Sequence, residues 1–325
     1  MRYWRWRRVQ DPGTAKQSAR RAAGARGDDT VGRLAEQFIE KHAKRHTRPN
    51  SIRATEAAFR NIILPAWGRR TAHEIARRDV IELLDGVAAD RPILANRTRA
   101  VLSRFFGWLC ERDIIAASPC VGVKPPSAET VRDRTLDDDE LRRLWLASDT
   151  VGGKAGAYTK LLILTGQRRS EIAHLRWSEV GSDALELPAE RMKGKRAHIV
   201  PLSTQAAAII AAQPKVDDFV LGSWRWAGNS HHVKRALDAH MGDTPKWVIH
   251  DIRRSVASGM ARIGVAVPVI EKILAHKSGT FRGIVGTYQR HSFLPEMAAA
   301  LQRWADHVER LVGGKSAKVV KLRRR

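Results

Sequence analysis

The stretch YTKLLILTGQRRSEI, residues 158–172, decides the fold of the second half of the chain. Its first part, 158–164, is apolar and predicts a helix. Gly166 interrupts that pattern, and an apolar helical face resumes at Ile172. The break places Arg168 near the start of a new helix, where the helix dipole and the guanidinium would act together on a phosphate.

A lysine lies between two strand patterns further along the chain. The segments 185–187 and 197–202 are typical of short strands, and Gly194-Lys195 supplies turn residues between them. Lys193 is therefore predicted at the tip of a hairpin. A lysine at such a tip is usually a solvated turn charge, so spacing alone does not assign it a catalytic role.

The segment HDIRR at 250–254 predicts the start of another helix. His250 and Arg253 are three residues apart, which places the imidazole and the guanidinium on one face of that helix. Two donors on one face can bind the same phosphate. His276 follows the next apolar segment, and Tyr288 comes twelve residues later, after a loop that contains glycines.

The first half of the chain contains four helical patterns. Thr30 is predicted to cap the first of them. Apolar residues recur with the helical period in the segments 31–39, 51–64, 79–89 and 93–112. Four amphipathic helices with short connections form a small bundle.

The composition changes between the two halves. SPCVGVKPPSAETVRDR at 118–134 is rich in proline and polar residues, which favours an interdomain linker. Asp137 and Glu140 then stand at the spacing of a capping box that opens the second domain. The sequence thus predicts a basic arm, a helical domain, a linker, a second domain and a basic tail, at 1–29, 30–118, 119–134, 135–312 and 313–325.

The charge of the chain points to a polyanionic partner. There are 58 Lys and Arg against 34 Asp and Glu among 325 residues, a net charge of +24. Such a field attracts a polyanion at long range, and binding gains further from counterion release. Composition alone fits an enzyme of nucleic acids and a ribosome-associated or chromatin-like basic protein equally well. The helical periodicity argues against a disordered basic tail.

Cysteine content and hydropathy indicate the compartment. Cys110 and Cys120 are too few for a disulfide framework or a cysteine-based zinc site, which favours a reduced, cytoplasmic environment. No run approaches 18 apolar residues, and the N-terminal MRYWRWRR lacks the apolar core and cleavage site of a signal peptide. We therefore predict a cytoplasmic protein without a membrane partner.

One basic segment carries paired histidines. His42 and His46 are one helical turn apart, but their neighbours are basic and no HExxH motif occurs in the chain. The segment is therefore predicted as a phosphate-facing helix surface, and no metal site is predicted. Six basic side chains of the first domain are predicted to contact DNA: Lys41, Lys44, Arg45, Arg48, Arg97 and Arg104.

Four motifs occur in order along the chain: TGQRRSEI, MKGKRAHIVPLS, HDIRRSVASGM and LAHKSGTFRGIVGTYQRH. Together they resemble the tyrosine recombinase family, and in particular its prophage-type integrases, with the likeness running from Thr30 to Leu311. The resemblance implies a mainly α fold. It consists of a helical, SAM-like core-binding bundle and a mostly helical catalytic domain with a small β-hairpin.

The resemblance also implies a role for each basic motif residue. Arg168 and Arg253 would bind the non-bridging oxygens of the scissile phosphate as permanently charged, planar forks. Lys193 would protonate the leaving 5'-oxygen. His250 and His276 would assist proton transfer and donate hydrogen bonds to the phosphate.

The nucleophile implied by the resemblance is Tyr288. Its attack on phosphorus would give a 3'-phosphotyrosyl link and a free 5'-hydroxyl. Glu171, three residues after Arg168, would orient its neighbours. Because the covalent link stores the energy of the broken backbone bond, neither a cofactor nor a metal is implied.

The implied substrate is double-stranded DNA at attachment sites. The implied assembly is a homotetramer on DNA, in which the helix around 301–311 would pack against a neighbouring protomer. A DNA-bending accessory protein or an excisionase is a further implied partner, and binding to DNA would associate the protein with the nucleoid.

The segment before the bundle departs from the family pattern. Only 29 residues precede Thr30, whereas prophage-type relatives carry a larger arm-binding domain there. A truncated integrase that binds DNA without completing recombination therefore stays open. A resolvase or chromosome-dimer recombinase is a second reading within the family.

Overall fold

The computed structural model describes four stretches of the chain, 28–130, 132–222, 230–276 and 291–313. The chain divides into two compact units, 1–131 and 132–325. The division falls inside the linker predicted at 119–134. The predicted nucleophile Tyr288, almost all of the basic arm and the basic tail after Gly313 lie outside the described residues. In the four described stretches, no helix is both long and apolar enough to cross a membrane.

Unit 1 contains the four predicted helices. The side chain of Thr30 caps the first, accepting a hydrogen bond from the backbone N–H of Arg33 at 3.3 Å. The first two helices each continue through a π-helical turn and a last α-helical turn, which the apolar period does not predict. The bounds are α1 Val31–Phe38, continuing at Ile39–Ala43 and Lys44–His46; α2 Pro49–Ala58, continuing at Phe59–Ile63 and Leu64–Trp67; α3 Arg77–Ala88; and α4 Pro92–Cys110.

Aromatic side chains form the centre of unit 1. The ring of Phe105 in α4 lies 5.6 Å from the ring of Phe38 and 5.2 Å from that of Phe59, in both cases edge to face. All three side chains are at most 2% exposed. Edge-to-face pairs add favourable quadrupole contacts to the burial of apolar area. The helices of unit 1 are thus held by one core, as their apolar periods predict.

The first part of the predicted linker belongs to the core of unit 1. Cys120 and Val123 are buried there, at 5% and 6% exposure. The side-chain amide of Asn96 in α4 donates to the carbonyl oxygen of Ser127 at 2.8 Å and accepts from its backbone N–H at 3.2 Å. The proline-rich composition predicted a lack of regular structure, which is observed, but it did not reveal these contacts.

Unit 2 is mainly α with one small antiparallel hairpin, as predicted. Asp137 and Glu140 form the predicted capping box at its first helix. Leu185 pairs with Val200 in the hairpin. The elements are α5 Asp138–Val151, α6 Gly153–Thr165, α7 Arg169–Ala173, β1 Ala184–Leu187, β2 His198–Pro201, α8 Thr204–Ala211, α9 Ser230–Asp238, α10 Ile249–Arg262, α11 Val267–Ile273 and α12 Leu294–Val312.

The last helix packs into the core of its own unit. The indole N–H of Trp304 in α12 donates to the carbonyl oxygen of Ile163 in α6 at 2.8 Å, and this indole is fully buried. Met297, Leu301 and Val308 extend the same buried face. The apolar face of this helix is therefore occupied within unit 2, and the predicted contact of the helix with a neighbouring protomer would have to use its exposed residues. The sequence pattern showed an apolar face but not what covers it.

Close packing of α10 against α12 depends on Gly259. A Cβ atom at this position would lie 2.4 Å from two ring carbons of Trp304. Gly259→Ala is therefore expected to lower the free energy of unfolding by about 2 kcal/mol, the usual cost of overpacking a core. Urea denaturation followed by circular dichroism measures this change.

Gly107→Ala in α4 is the matched control, because nothing lies within 4 Å of a Cβ atom there. It is expected to be neutral or to stabilise by about 0.5–1 kcal/mol through helix propensity. Equal midpoints for the two variants would show that α10 and α12 do not pack this closely.

Candidate active site

The turn between α6 and α7 places Arg168. Gly166 ends α6 in the left-handed region at φ 63°, and a Cβ atom there would lie 3.0 Å from the side chains of Leu274 and Val256. The chain then turns, so that Arg168 is the residue preceding α7. α7 has only five residues, so the predicted contribution of a helix dipole is small. The positive charge at this point comes from the guanidinium itself.

Glu171 holds Arg168 from two sides. One carboxylate oxygen accepts from the Arg168 guanidinium at 2.9 Å, and the other accepts from the Arg168 backbone N–H at 2.8 Å. The Glu171 side chain is 3% exposed, whereas that of Arg168 is 24% exposed. The carboxylate thus fixes the backbone and the guanidinium together while part of Arg168 stays accessible. The orienting role of Glu171 stays a prediction, for which this contact provides the geometry.

Arg253 lies deeper in the unit than Arg168. It is 4% exposed on α10, and its guanidinium donates to the carbonyl oxygens of Gly166, at 2.8 Å, and of Leu274. Burial and the nearby charge of Arg168 lower the pKa of Arg253 to about 9. The group therefore remains charged at neutral pH.

The turn at 273–275 connects both guanidiniums to His276. Arg253 binds the carbonyl oxygen of Leu274, and Arg168 donates to that of Ala275 at 3.4 Å. Ala275 has a φ of 46°, so the backbone bends sharply there. His276 follows directly, which brings the predicted arginines and this histidine to one place.

Two side chains that the motif analysis did not single out bind the same turn. Gln167 donates to the carbonyl oxygen of Ile273 at 2.8 Å. The Nε2 atom of His198 in β2 lies 3.0 Å from that same oxygen. The contacts join residues 106 and 75 positions apart. Sequence spacing cannot predict such contacts.

The two predicted imidazoles share the field of the arginines. Partial burial and the charges of Arg253 and Arg168 lower the pKa of His276, and partial burial, Arg253 and further arginines lower that of His250. Both imidazoles are therefore neutral at neutral pH and can accept a proton. Because Arg168 and Arg253 affect the pKa of both histidines, these four side chains lie within electrostatic reach of one another.

Asp251 fixes the start of α10. Its carboxylate is fully buried and accepts from Arg132 at 3.0 Å, from Arg254 at 2.6 Å and from the backbone N–H of Val248 at 2.9 Å. Burial by itself raises the pKa of Asp251, but the hydrogen bonds that it accepts outweigh burial, and the pKa lies below its ordinary value. The motif analysis quoted this residue without a role. The sequence signal for this anchoring role was the position of an acidic residue between His250 and two arginines.

Lys193 lies in the connection between β1 and β2. This connection covers 188–197 and is wider than the tight hairpin that was predicted, with Lys193 in an exposed turn. Met192 beside it is buried at 2% exposure. The guanidinium of Arg191 donates to the carbonyl oxygen of Glu171 at 2.8 Å. The turn is thus attached to α7, next to Arg168.

A cavity of about 480 Å³ opens beside these residues. Its lining includes α9, which the motif analysis did not assign to the site. Lys234 of α9 pairs with Asp238, and its ammonium lies 4.1 Å from the ring centroid of Trp247. The lining residues are Arg168, Arg169, Ser170, His231, Lys234, Val248, Ile249 and His250.

The predicted DNA-contacting side chains of unit 1 lie on its surface. All six are exposed, namely Lys41, Lys44, Arg45, Arg48, Arg97 and Arg104. Lys44 pairs with Glu40, and Arg97 pairs with Glu129 at 3.2 Å. Exposed ion pairs of this kind are weak, so these cations remain available to a stronger anion. Their contact with DNA stays a prediction.

Comparison with known proteins gives the class to which this fold and site belong. Residues 134–293 match the model of the phage integrase family. Prophage integrase IntZ of Escherichia coli strain K12 is 24% identical over 271 residues, covering 79% of this chain and 66% of that protein. Tyrosine recombinase XerC of Xylella fastidiosa strain 9a5c is 32% identical over 190 residues, covering 55% of this chain and 63% of that protein.

A solved structure shows the same fold. The lambda integrase tetramer bound to a Holliday junction matches with a TM-score of 0.68 at 17% identity, covering 84% of this chain and 83% of that one. Unit 2 therefore has the fold of lambda integrase, and its sequence is similar to that of the tyrosine recombinase XerC. The match to the phage integrase family covers just under half of the chain, residues 134–293. It spans about two thirds of the length of the two curated relatives, 66% and 63%.

Loss of the Asp251 carboxylate is expected to destabilise unit 2. In Asp251→Asn, the donors of Arg132 and Arg254 face a neutral amide, which costs about 1–3 kcal/mol of unfolding free energy. Because the pKa of Asp251 is lowered in the folded state, its contribution is present above the unfolded value near 4 and is lost as pH falls through the folded value. Urea denaturation at a series of pH values should therefore show the two proteins converging in acid.

Glu82→Gln supplies the control for this experiment. Glu82 pairs with Arg78 on an exposed face of α3, so its replacement is expected to change stability by less than about 0.5 kcal/mol. A similarly small effect of Asp251→Asn would show that the carboxylate does not anchor α10.

Proposed function

We propose that this protein is a site-specific DNA recombinase that cuts and rejoins DNA through a 3'-phosphotyrosyl intermediate, and that it integrates and excises a prophage or genomic island. The observation that carries the proposal is the convergence of Arg168, Arg253 and His276 on the turn at 273–275. Two guanidiniums and neutral imidazoles are suited to the cleavage of a phosphodiester. The guanidiniums stabilise negative charge on the oxygens bound to phosphorus, and the imidazoles transfer a proton.

Tyr288 is proposed as the nucleophile. The chain has three tyrosines, and Tyr288 is the only one downstream of the site motifs. Tyr158 is 2% exposed in α6, where burial raises its pKa, so it cannot reach a DNA strand. Tyr3 precedes both units and lies outside the described residues.

The proposed reaction is a balanced exchange of phosphoester bonds. The Tyr288 oxygen attacks phosphorus while its proton passes to His250 or His276, and the bond from phosphorus to the 5'-oxygen breaks. Lys193 gives a proton to that oxygen, which leaves as a hydroxyl. Reversal with a different 5'-hydroxyl joins new strands, and no ATP is consumed because the phosphotyrosyl ester conserves the bond energy.

The proposed substrate is double-stranded DNA at attachment sites, bound by a homotetramer. The net charge of +24 supports a polyanionic partner, and the similar lambda integrase was solved as a tetramer on a Holliday junction. An accessory DNA-bending protein or an excisionase, and association with the nucleoid, are further parts of the proposal. The exposed cations of unit 1 are proposed to follow the DNA backbone.

Resolution of repeated sites, by a recombinase of the resolvase or chromosome-dimer type, is the second candidate. The similarity to XerC, which is 32% identical over 190 residues, supports this candidate, just as the similarity to IntZ over 271 residues supports the first. A plasmid with two directly repeated sites tests resolution, and a pair of unlike sites tests integration. Recombination only between identical repeats would favour the second candidate.

The nucleophile is tested by covalent trapping on nicked DNA from the region flanking the gene. Wild-type protein is expected to give an adduct that survives a denaturing gel, and Tyr288→Phe is expected to give none while still binding the DNA. Tyr158→Phe is the matched control and should keep the adduct. Tight binding by wild-type protein with no adduct would instead indicate a protein that binds DNA without recombining it.

The rate of adduct formation is expected to depend on pH through the imidazoles. Because the pKa values of His250 and His276 are lowered, both remain neutral down to about pH 6.5. The single-turnover rate on pre-bound DNA should therefore be insensitive to these groups above that pH and should fall in more acidic solution, where they can no longer accept a proton. A rate that rises as the pH falls below 6 would exclude them as acceptors.

A further inference from the structure

His198 joins the Lys193 connection to the turn beside His276. It is the first residue of β2, five residues after Lys193, and it is partly buried. Its Nε2 atom lies 3.0 Å from the carbonyl oxygen of Ile273. A carbonyl oxygen only accepts hydrogen bonds, so Nε2 carries the proton and donates it.

The surroundings of His198 favour the neutral ring. Burial lowers the pKa of His198, and the charges of Arg253 and Arg168 lower it further, although the bond to Ile273 and the charge of Glu171 act in the opposite direction. A neutral imidazole with its proton on Nε2 makes this one directed bond. The ring is therefore suited to fixing a position.

This bond does more than satisfy a buried carbonyl. Gln167 already donates to the oxygen of Ile273 at 2.8 Å, so the carbonyl would have a partner without His198. What the second bond adds is a connection between β2 and the turn at 273–275. Polar contacts of this kind specify a relative position rather than add much net stability.

The connection is held in a comparable way on the other side of Lys193. Arg191, two residues before Lys193, donates to the carbonyl oxygen of Glu171 and pairs with Glu179. Glu171 is the residue that orients Arg168. The connection is thus tied on both sides of Lys193, through Arg191 to the Arg168 helix and through His198 to the turn before His276.

We propose that His198 is a positioning residue that sets the place of the Lys193 ammonium relative to the phosphate held by Arg168 and Arg253. This inference rests on the proposed function. A shift of about 1 Å in a proton donor lowers a rate by roughly 100-fold, so a single hydrogen bond at the base of the connection is sufficient to matter. His198 itself touches neither the DNA nor the reacting atoms in this scheme.

Two substitutions separate the hydrogen bond from the bulk of the side chain. His198→Gln places an amide N–H close to where Nε2 lies, and is expected to keep the bond to Ile273. His198→Asn carries the same amide on a side chain one methylene shorter, and is expected to lose the bond. The pair has the same chemistry and a similar polarity, so the difference in reach is what the comparison measures.

Two DNA substrates report on the leaving group. One has the ordinary 5'-bridging oxygen at the scissile phosphate, and the other has sulfur there. A thiolate is far less basic than an alkoxide and leaves without receiving a proton. A defect in proton delivery is therefore repaired by sulfur, whereas a defect in folding or in phosphate binding is not.

On the oxygen substrate, His198→Asn is expected to cleave about 100-fold more slowly than wild type in a single turnover. On the sulfur substrate, its rate is expected to lie within about threefold of wild type, because proton delivery no longer limits the rate there. Lys193→Ala should give the same pattern, and His198→Gln should stay close to wild type on both. Thermal unfolding and DNA binding are measured on each protein to confirm that it folds.

Two outcomes would overturn the inference. If His198→Asn lowered the cleavage rate equally on the oxygen and sulfur substrates, His198 would act in folding or in phosphate binding. If His198→Asn did not lower the rate, the hydrogen bond would not position Lys193. Absence of an adduct with wild-type protein on either substrate would instead count against the proposed function. The sulfur comparison thus distinguishes the two failures.

Discussion

The site depends on how the positive charge of Arg253 is accommodated. A charged group that is 4% exposed has lost most of its water, which costs several kcal/mol unless hydrogen bonds and opposite charge replace it. In the described part of the chain, its two guanidinium hydrogen bonds go to carbonyl oxygens, those of Gly166 and Leu274. Glu171 reduces the cost by its charge, and Arg168 increases it. The pair of guanidiniums therefore shares one carboxylate and leaves excess positive charge, which an anionic phosphate would neutralise.

The guanidinium of Arg253 is held by backbone carbonyl oxygens rather than by other side chains, so the backbone must be rigid. Gly166 turns the chain where no Cβ atom would fit without displacing neighbours, and Trp304 ties α12 to the carbonyl of Ile163 in the helix that leads into this turn. Asp251 differs from Arg253, because its buried carboxylate forms ion pairs with two arginines. Charge is thus balanced at Asp251, whereas the two guanidiniums beside the cavity share the charge of one carboxylate.

The sequence predicted what local patterns determine, and missed what distant residues create together. The apolar periods of α1 and α4, the capping box at Asp137, and the position of Lys193 in a turn are all confirmed. The turn at 273–275 and the bond from His198 were not predictable, because they join residues far apart in the chain and depend on how helices pack. The buried face of α12 shows the same limit: a helical period reveals that a face is apolar, but not which partner covers it.

The different anchoring of the cations suits the two tasks proposed for them. Stabilising the charge of a transition state requires donors that do not reorganise, and Arg168 and Arg253 meet this condition because each is fixed by a carboxylate or by carbonyl oxygens. Delivering a proton requires a donor that approaches the leaving atom as the bond breaks. Lys193 stands in an exposed turn of the ten-residue connection, which is attached on either side of it by Arg191 and His198. Attachment on both sides of Lys193 would hold this exposed turn in place relative to the arginines.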